Sequence, residues 1–207
     1  DLAHATGNIK LNLHSWGVDF AAWCGYKYLN GGPGSPSGIF IHEHHLKKCD
    51  YPRFEGWWGH ERATRFDICN EFKPLKTAEA WQISNPPIFS MAPLLASLEI
   101  FHDVGMQLLI EKSRKLTTYL ETLIQNEFPD LIKIITPSNS QFRGCQLSLR
   151  LDKNVKNINR DLHNLGVICD WRNPDIIRVA PVPMYNSFQD CYDFIQILTD
   201  ILVENRK

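Results

Sequence analysis

A lysine that follows one apolar segment and precedes a loop of glycine and proline is the feature that most constrains this chain. Residues 18–24 and 38–42 are apolar enough to form buried strands, and Lys27 comes directly after the first. The glycines and prolines of residues 25–38 exclude regular structure over most of that loop. Two buried strands around such a loop are typical of a ligand site, because glycine backbone can approach a ligand closely.

Apolar periodicity predicts alternating helices and strands in the rest of the chain. We predict helices at 94–101, 106–125, 155–165 and from 188 onward, and strands at 131–135, 145–151, 167–169 and 176–179. Gly105 separates the first two helices, Gly166 is expected at the C′ position of the third, and Ser187-x-x-Asp190 predicts a capping box before the last. This alternation favours an α/β class.

Charge and composition exclude several classes of protein. The 207 residues carry a net charge of −1 with scattered Lys and Arg, which argues against a nucleic-acid partner. No apolar run approaches the roughly 18 residues of a membrane span, so we expect no membrane partner. The six cysteines form no C-x-x-C pair and the chain starts without a signal peptide, so free thiols and a cytoplasmic location are expected.

Lys27 is the first candidate for chemistry. At the end of a buried strand its amine would be partly shielded from water and available for nucleophilic attack on an aldehyde. A solvated loop lysine is the alternative, which position alone leaves open. Arg178 lies within the apolar segment 176–179 and needs a partner if buried, either a bound carboxylate or a structural ion pair.

Two further clusters have ambiguous roles. Trp57 and Trp58 beside His60 could line a flat aromatic ligand or simply pack in the core. His42, His44 and neighbouring residues lack a second ligand pair at a standard spacing, so we predict a polar strand end there and no metal site.

Several motifs occur in an order that resembles the kynureninase family. They are Asp-Leu-Ala-His-Ala-x-Gly-Asn at 1–8, Trp-Gly-Val-Asp-Phe-Ala-x-Trp-Cys-x-Tyr-Lys-Tyr-Leu-Asn at 16–30, Gly-Trp-Trp-Gly-His-Glu at 56–61, Ile-Ser-Asn-Pro-Pro-Ile at 83–88, Ala-Ser-Leu-Glu-Ile-Phe at 96–101, and Arg-Asn-Pro-x-x-Ile-Arg-Val-Ala-Pro-Val-Pro-x-Tyr-Asn-Ser-Phe at 172–188. The resemblance covers nearly the whole chain and corresponds to the C-terminal half of these pyridoxal 5′-phosphate (PLP) enzymes. It implies fold type I, with the end of the PLP-binding large domain at 1–90 and linker helices plus a small α/β domain at 91–207.

The resemblance also implies roles for individual residues. Lys27 would form the Schiff base and then move the proton on Cα. The other cofactor ligands would be Asp1 at the pyridine nitrogen, His4 beside the ring, and Tyr26 with Trp57 at the phosphate, Trp57 from the partner subunit of a homodimer. Asn85 and His60 would contact the ketone end of the substrate near the cofactor, and Arg178 would bind the substrate's α-carboxylate.

The implied reaction is hydrolytic Cβ–Cγ cleavage of L-kynurenine or 3-hydroxy-L-kynurenine, small-molecule substrates of tryptophan catabolism and NAD biosynthesis. The loop with Pro33, Ser35 and Pro36 departs from the glycine- and alanine-rich loop of the family. Residues that such enzymes use upstream of the Asp are not in the chain, so we expect an open parallel sheet, weak PLP binding and no turnover by the 207 residues alone. The alternatives are a cysteine desulfurase-like PLP enzyme and a truncated product without catalysis.

Overall fold

The chain divides into two compact units. The computed structural model describes residues 1–46, 51–68, 70–151 and 157–204. By packing, the units are Asp1–Asp103 and Val104–Lys207. The division into domains at residues 90 and 91 stays a prediction about the parent fold.

The first unit is built around a β-hairpin. Strands β1 (Phe20–Cys24) and β2 (Ser37–Ile41) pair antiparallel, with Phe20 opposite Ile41 and Cys24 opposite Ser37. This confirms both strands predicted around the glycine loop. A short helix α1 (Glu43–Leu46), two 3₁₀ turns (Trp57–Gly59 and Ala78–Trp81) and the long helix α2 (Ile88–Val104) follow.

Helix α2 packs through few of its apolar residues. Ser97 and Phe101 are its buried side chains, and the Ser97 hydroxyl donates a hydrogen bond of 2.7 Å to the Leu29 carbonyl. Leu95 and Ile100, two apolar residues of the helix predicted at 94–101, are 59% and 52% exposed. The predicted helix is therefore present, but the described residues leave much of its apolar surface exposed.

The second unit is a sheet covered by helices. Its elements are α3 (Met106–Glu127), β3 (Ile132–Ile134), β4 (Leu147–Leu151), α4 (Ile158–Asn164), β5 (Asp170–Arg172), β6 (Ile176–Val179) and α5 (Phe188–Glu204). The four strands are ordered β3-β4-β6-β5 and all pairs are antiparallel. The predicted helices and most predicted strands are confirmed, although the start of the predicted helix at 155–165 falls partly outside the described residues.

The strand predicted at 167–169 is wrong, because helix α4 uses that backbone for its cap. Gly166 adopts φ 82°, its N–H donates to the His163 carbonyl at 3.1 Å, and the Val167 N–H donates to the Leu162 carbonyl at 2.9 Å. These two bonds form a Schellman motif, which satisfies carbonyls at the helix end. The strand begins only at Asp170, where the backbone is released to pair with β6.

One apolar core lies within the second unit. Leu147, Leu149 and Leu151 of β4 are buried, whereas Ser148 between them is half-buried and Arg150 is exposed. Helices α3, α4 and α5 add Leu116, Leu120, Ile124, Leu162, Ile195 and Leu198 to the same core. The alternation follows from side chains of a strand pointing to opposite faces.

The expected open parallel sheet is absent from the described residues, where every strand pair is antiparallel. The first unit contains instead the antiparallel hairpin β1–β2, whose two strands are connected by the glycine loop. In the described part of the chain no single helix is long and apolar enough to cross a membrane. Helices α2 and α3, counted together as one bent pair, have the length and apolar composition of a membrane span, and nothing beyond length and composition supports such a span. None of the four described cysteines is in a disulfide, and Cys49 and Cys69 lie outside the described residues.

Candidate active site

The hairpin β1–β2 fixes the position of Lys27. The lysine follows β1 by three residues, and its carbonyl accepts a 2.9 Å hydrogen bond from the Asn30 N–H. A second 2.9 Å bond, from the Gly31 N–H to the Gly25 carbonyl, closes the loop around it. Asn30 sits in the left-handed region at φ 55°, which asparagine tolerates better than most residues. The backbone around the lysine is thus held on both sides.

The first residues of the chain bring a histidine to this lysine. The Leu2 N–H donates to the Ala22 carbonyl of β1 at 2.9 Å, which anchors the segment to the hairpin. His4 Nε2 then lies 3.2 Å from Lys27 Nζ. An ammonium group can only donate, so His4 accepts through Nε2 when Lys27 is charged. The structure therefore joins two residues separated by 23 positions in the sequence.

Tyr26, Tyr28 and Asp1 complete the surroundings of this pair. Lys27 Nζ lies 5.9 Å from the centre of the Tyr26 ring, and the Tyr28 ring meets His4 edge to face at 6.1 Å. Asp1 is exposed, and its Oδ1 accepts a 2.8 Å bond from the Ala3 N–H, in the segment that carries His4. Tyr26 is 53% exposed and available to a ligand.

The glycine loop packs against its own serine. Ser35 is buried, and its hydroxyl has no hydrogen-bond partner in the structure. A Cβ at Gly25 or Gly31 would lie 2.4 or 2.3 Å from this hydroxyl oxygen, so neither position accepts a side chain. In the sequence Ser35 is recognisable only as a departure from the family's loop. The structure shows instead that the loop closes around it.

A second group of predicted site residues gathers around Arg65. The Arg65 guanidinium lies 4.8 Å from the Trp58 ring and 5.8 Å from the Trp57 ring, and it donates to the His60 carbonyl at 3.1 Å. His60 is buried, with the Lys73 N–H donating to its Nδ1 at 3.3 Å and its Nε2 3.0 Å from the Thr64 hydroxyl. Both ring nitrogens of His60 are therefore engaged within the chain.

Asn85 and Arg178 lie in different units. Asn85 is exposed shortly before α2, where its Oδ1 accepts a 3.1 Å bond from the Ser84 hydroxyl. Arg178, in β6 of the second unit, pairs with Asp170 of the neighbouring strand β5, and Arg172 pairs with the same carboxylate. Burial tends to raise the pKa of Asp170, but hydrogen bonds from Arg172 and Arg178 and their charges hold it below its usual range. The structural ion pair considered for Arg178 is thus present.

The histidines after β2 form a cluster that sequence reasoning did not assemble. His44 Nε2 and His45 Nε2 lie 3.1 and 2.7 Å from one oxygen of Asp19, the residue before β1. No short motif could have revealed it, because Asp19 precedes these histidines by 25 and 26 residues. Only the antiparallel pairing of β1 and β2 brings the two ends together.

The donor set around Lys27 fits PLP. The group needs an amine for its aldehyde, an acid for its pyridine nitrogen and donors for its phosphate, and the first unit supplies Lys27, Asp1 and Tyr26. His4 adds an imidazole against the amine. The adjoining loop is also open at two positions, because a Cβ at Gly32 or Gly34 would meet nothing within 4 Å among the described residues.

Comparison with known sequences identifies relatives along nearly the whole chain. Residues 109–198 match the family model for the kynureninase C-terminal domain. Curated kynureninases of Flavobacterium psychrophilum, Christiangramia forsetii and Myxococcus xanthus are 51%, 54% and 52% identical over 99%, 96% and 96% of this chain. The matches cover 49%, 47% and 46% of those proteins, so the chain spans about half the length of the curated relatives.

Solved structures share the fold at low identity. The cystine C-S lyase C-DES, solved with cysteine persulfide, has a TM-score of 0.76 at 17% identity and covers 95% of this chain and 50% of its own. Cysteine desulfurase from Thermococcus onnurineus has a TM-score of 0.73 at 18% identity, over 96% of this chain and 50% of its own. C-DES has also been solved with glycine covalently linked to its PLP cofactor.

These likenesses agree with the geometry of the site. The structural matches show the fold of the fold type I PLP enzymes, which confirms the predicted fold class. The sequence matches are far stronger than this shared fold requires, and they run through the segments that carry Lys27, His60 and Arg178. The chain belongs to the kynureninase family, of whose members it represents about half the length.

Proposed function

We propose that this chain provides the lysine-bearing half of a PLP-dependent hydrolase that cleaves the Cβ–Cγ bond of L-kynurenine or 3-hydroxy-L-kynurenine. The products are L-alanine and anthranilate or 3-hydroxyanthranilate. In the balanced reaction the hydroxyl of water ends on the γ-carbon, and a proton ends on Cβ of the released alanine. The observation that carries the proposal is the 51–54% identity to curated kynureninases over at least 96% of the chain, together with the Lys27–His4 pair.

Bound PLP supplies an electron sink that makes the proton on the substrate's Cα acidic. Lys27 would hold the cofactor at its aldehyde group, and its Nζ would receive the proton from the substrate's Cα. His4 Nε2, 3.2 Å from Nζ, would hold that amine in place by accepting a hydrogen bond from it. The Asp1 carboxylate would hold a proton on the pyridine nitrogen, and Tyr26 and Trp57 would donate to the phosphate.

The remaining residues orient the substrate. Arg178 binds the α-carboxylate through a planar pair of N–H donors, a geometry that suits carboxylates. In the structure Arg178 pairs with Asp170, whose side chain is 47% exposed. Water can therefore solvate the Asp170 carboxylate when the substrate's carboxylate replaces it at Arg178. Asn85 and His60 contact the ketone end, for which His60 would release its bond to Thr64.

The homodimer, with Trp57 acting in the partner's site, and the cytoplasmic location belong to the same proposal. Support for the dimer comes from the first unit, where large apolar side chains such as Phe89, Leu95 and Trp57 are 95%, 59% and 43% exposed. Apolar surface of this kind is typical of interaction sites.

The test is a full-length chimera in which this chain replaces the matching half of the Christiangramia forsetii kynureninase. We expect anthranilate release from L-kynurenine, measured by its fluorescence. Lys27→Ala should abolish it, whereas Lys10→Ala, a change at an exposed lysine of the same unit, should leave it intact. A chimera that binds PLP but leaves both kynurenines uncleaved would contradict the proposal.

A cysteine desulfurase-like activity is the competing enzymatic proposal, supported by the structural likeness to cysteine desulfurases at 17–18% identity. The same chimera distinguishes the two, because desulfuration of L-cysteine in the presence of a thiol reductant gives alanine and sulfide, whereas kynurenine cleavage gives no sulfide. Sulfide without anthranilate would favour the desulfurase.

The chain alone is proposed to bind PLP weakly and to lack turnover, which is the non-catalytic alternative. The visible absorbance that appears when PLP binds a lysine measures this directly. Lys27→Ala should remove whatever band the 207 residues produce, and Lys10→Ala should not. Ordinary turnover of kynurenine by the chain alone would overturn this expectation.

A further inference from the structure

Three side chains at the open end of the hairpin direct ligand atoms at one point. Asp19 is the residue directly before β1, and His44 and His45 belong to α1, which begins shortly after β2. A 3.0 Å hydrogen bond from the His42 N–H to the Asp19 carbonyl ties the two strand ends together. Asp19 Oδ1, His44 Nε2 and His45 Nε2 all lie within 4.8 Å of one another.

The hydrogen bonds of this cluster fix where the ring protons lie. His42 Nε2 faces the His14 carbonyl at 3.3 Å, and a carbonyl can only accept, so Nε2 carries the proton. His42 Nδ1 is therefore an acceptor, in agreement with the His44 N–H that points at it from 3.4 Å. His44 Nδ1, 2.6 Å from His42 Nδ1, must then be the donor of that contact.

This assignment leaves two acceptors facing each other. Neutral His44 has its proton on Nδ1, so its Nε2 presents a lone pair to Asp19 Oδ1 at 3.1 Å. An aspartate carboxylate is ionised at neutral pH and can only accept a hydrogen bond, so neither atom of this contact supplies a hydrogen. Such a contact needs a cation between or on the two atoms, either an added proton or a metal ion.

His45 supplies a third ligand with a partner behind it. Its Nε2 lies 2.7 Å from Asp19 Oδ1, and its Nδ1 lies 2.8 Å from the Tyr51 hydroxyl. A hydroxyl that accepts from Nδ1–H leaves Nε2 free to bind a metal, which is the common arrangement behind ligating histidines. The Phe20 ring stacks on His45 at 4.7 Å and holds its plane.

We propose that Asp19, His44 and His45 bind one divalent transition-metal ion, with Zn²⁺ as the best fit, and leave a fourth position for water. Two imidazole nitrogens and one carboxylate oxygen are a known three-ligand set for zinc. Ligands about 2.0–2.1 Å from a tetrahedral ion lie roughly 3.4 Å apart. The distances of 3.1 and 2.7 Å from Asp19 Oδ1 to His44 Nε2 and His45 Nε2 need only small adjustments to reach that value.

The site is also accessible to an ion. The side chains of Asp19 and His44 are 63% and 48% exposed, whereas that of His45 is 11% exposed. The ion would thus be bound on one side by the largely buried His45 and be exposed to solvent on the other side. This proposal is independent of the proposed hydrolase activity, because it uses no residue of the Lys27 site.

The test measures Zn²⁺ binding to the 207-residue chain by competition with a chromophoric chelator, before and after PLP is added. We expect one equivalent to bind. Asp19→Asn and His44→Gln should each weaken binding by at least about 100-fold, because even partners behind the ligands contribute about 10–100-fold. Tyr51→Phe should weaken Zn²⁺ binding by about 10–100-fold, because Tyr51 is a partner behind the ligand His45. His102→Gln, at an exposed histidine of α2, is the matched control and should bind like the unchanged chain.

Co²⁺ in place of Zn²⁺ identifies the ligands. A nitrogen and oxygen set gives visible bands without a thiolate-to-cobalt charge-transfer band, and both ligand variants should lose the visible bands. The proposal is overturned if the chain binds no Zn²⁺, in which case a proton on His44 satisfies the contact. It is equally overturned if Asp19→Asn and His44→Gln, shown to be folded by circular dichroism, bind as tightly as the control.

Discussion

A buried ion pair joins helix α3 to the loop before β4. Arg143 NH2 lies 2.7 Å from Glu121 Oε2, and their side chains are 2% and 11% exposed. Arg143 also donates to the Pro137 carbonyl at 3.1 Å. A charge in such surroundings is tolerated only because its partner is present.

Glu121→Gln should lower the free energy of unfolding by roughly 3 kcal/mol, because it leaves the Arg143 charge buried without a counter-ion. Urea denaturation at neutral pH measures the change. The double variant Glu121→Gln/Arg143→Met should recover part of the loss, since both charges are then gone. Equal stability of the single variant and the unchanged chain would show that Arg143 is solvated after all.

From the sequence, residues that carry a local signal could be named as candidates, whereas contacts between distant neighbours could not be foreseen. Lys27 is recognisable from the strand before it and the glycine loop after it, and the resemblance added His4. The convergence of Asp19 with His44 and His45 had no such signal, because it arises from strand pairing over 25 residues. For Arg178 both interpretations were open, and only the structure revealed its pairing with Asp170.

At the scale of elements, helix α5 shows how a short motif fixes a boundary. The Ser187 N–H donates to Asp190 Oδ2 at 2.7 Å, and the Asp190 N–H donates to the Ser187 hydroxyl at 3.2 Å. This is the reciprocal capping box that the sequence predicted. Each side chain satisfies a backbone N–H that the first helical turn leaves without a partner.

Ser187→Ala should destabilise the chain by about 1 kcal/mol through the lost cap. Chemical denaturation followed at 222 nm, a wavelength that reports helix in general, measures it. Ser187→Thr keeps a hydroxyl and is the control, with stability close to that of the unchanged chain. An unaffected alanine variant would mean that water caps the helix equally well.

The other half of the box predicts a pH dependence. Hydrogen bonds from the Ser187 backbone and then its hydroxyl lower the pKa of Asp190, so the folded state favours the carboxylate. The resulting stability is present above the pKa of the unfolded state and is lost as the pH falls through the lower pKa of the folded state. Asp190→Asn should therefore be less stable than the unchanged chain near pH 7, and the gap should close under acid. A gap that is constant with pH would contradict this linkage.

Elements with a clear period or cap were predictable, and their ends were less so. The strands of the hairpin, the long helices and β6 follow from apolar patterns. The strand prediction at 167–169 was wrong because the apolar run Val-Ile-Cys has the composition of a strand. In the structure the Val167 N–H instead belongs to the Schellman motif that ends helix α4. The hydrophobicity of a segment does not show whether its backbone N–H groups will bond within a helix cap or to a neighbouring strand.

At the scale of the whole molecule, the two units bury apolar side chains very unequally. The cluster that includes Leu116, Leu149, Ile177 and Leu198 lies entirely within the second unit. The buried apolar residues of the first unit are few, namely Ala21, Leu29, Ile41, Ala80 and Phe101. Sequence reasoning recognised α2 as apolar but could not know that the described residues leave Leu95 and Ile100 exposed, because covering a helix depends on what packs against it.

Residues 104–207 should fold as an independent domain, because they hold a complete core. Expressed alone, this segment should unfold cooperatively in urea and give a dispersed amide NMR spectrum. Residues 1–103 alone serve as the comparison and should show weaker cooperativity. A segment 104–207 with a collapsed, undispersed spectrum would show that its core needs the first unit.

The unequal cores also set an order of events during synthesis. Ribosomes add about 5–20 residues per second and release the N-terminal part first. Residues 1–103 therefore emerge ahead of the segment that can fold by itself, and they wait roughly 5–20 s while 104–207 is made. During that interval apolar side chains such as Phe89 and Ile88, still 95% and 74% exposed in the folded chain, are open to chaperones and proteases. We therefore expect the yield of the protein to depend on translation speed and chaperone supply as well as on the stability of its final fold.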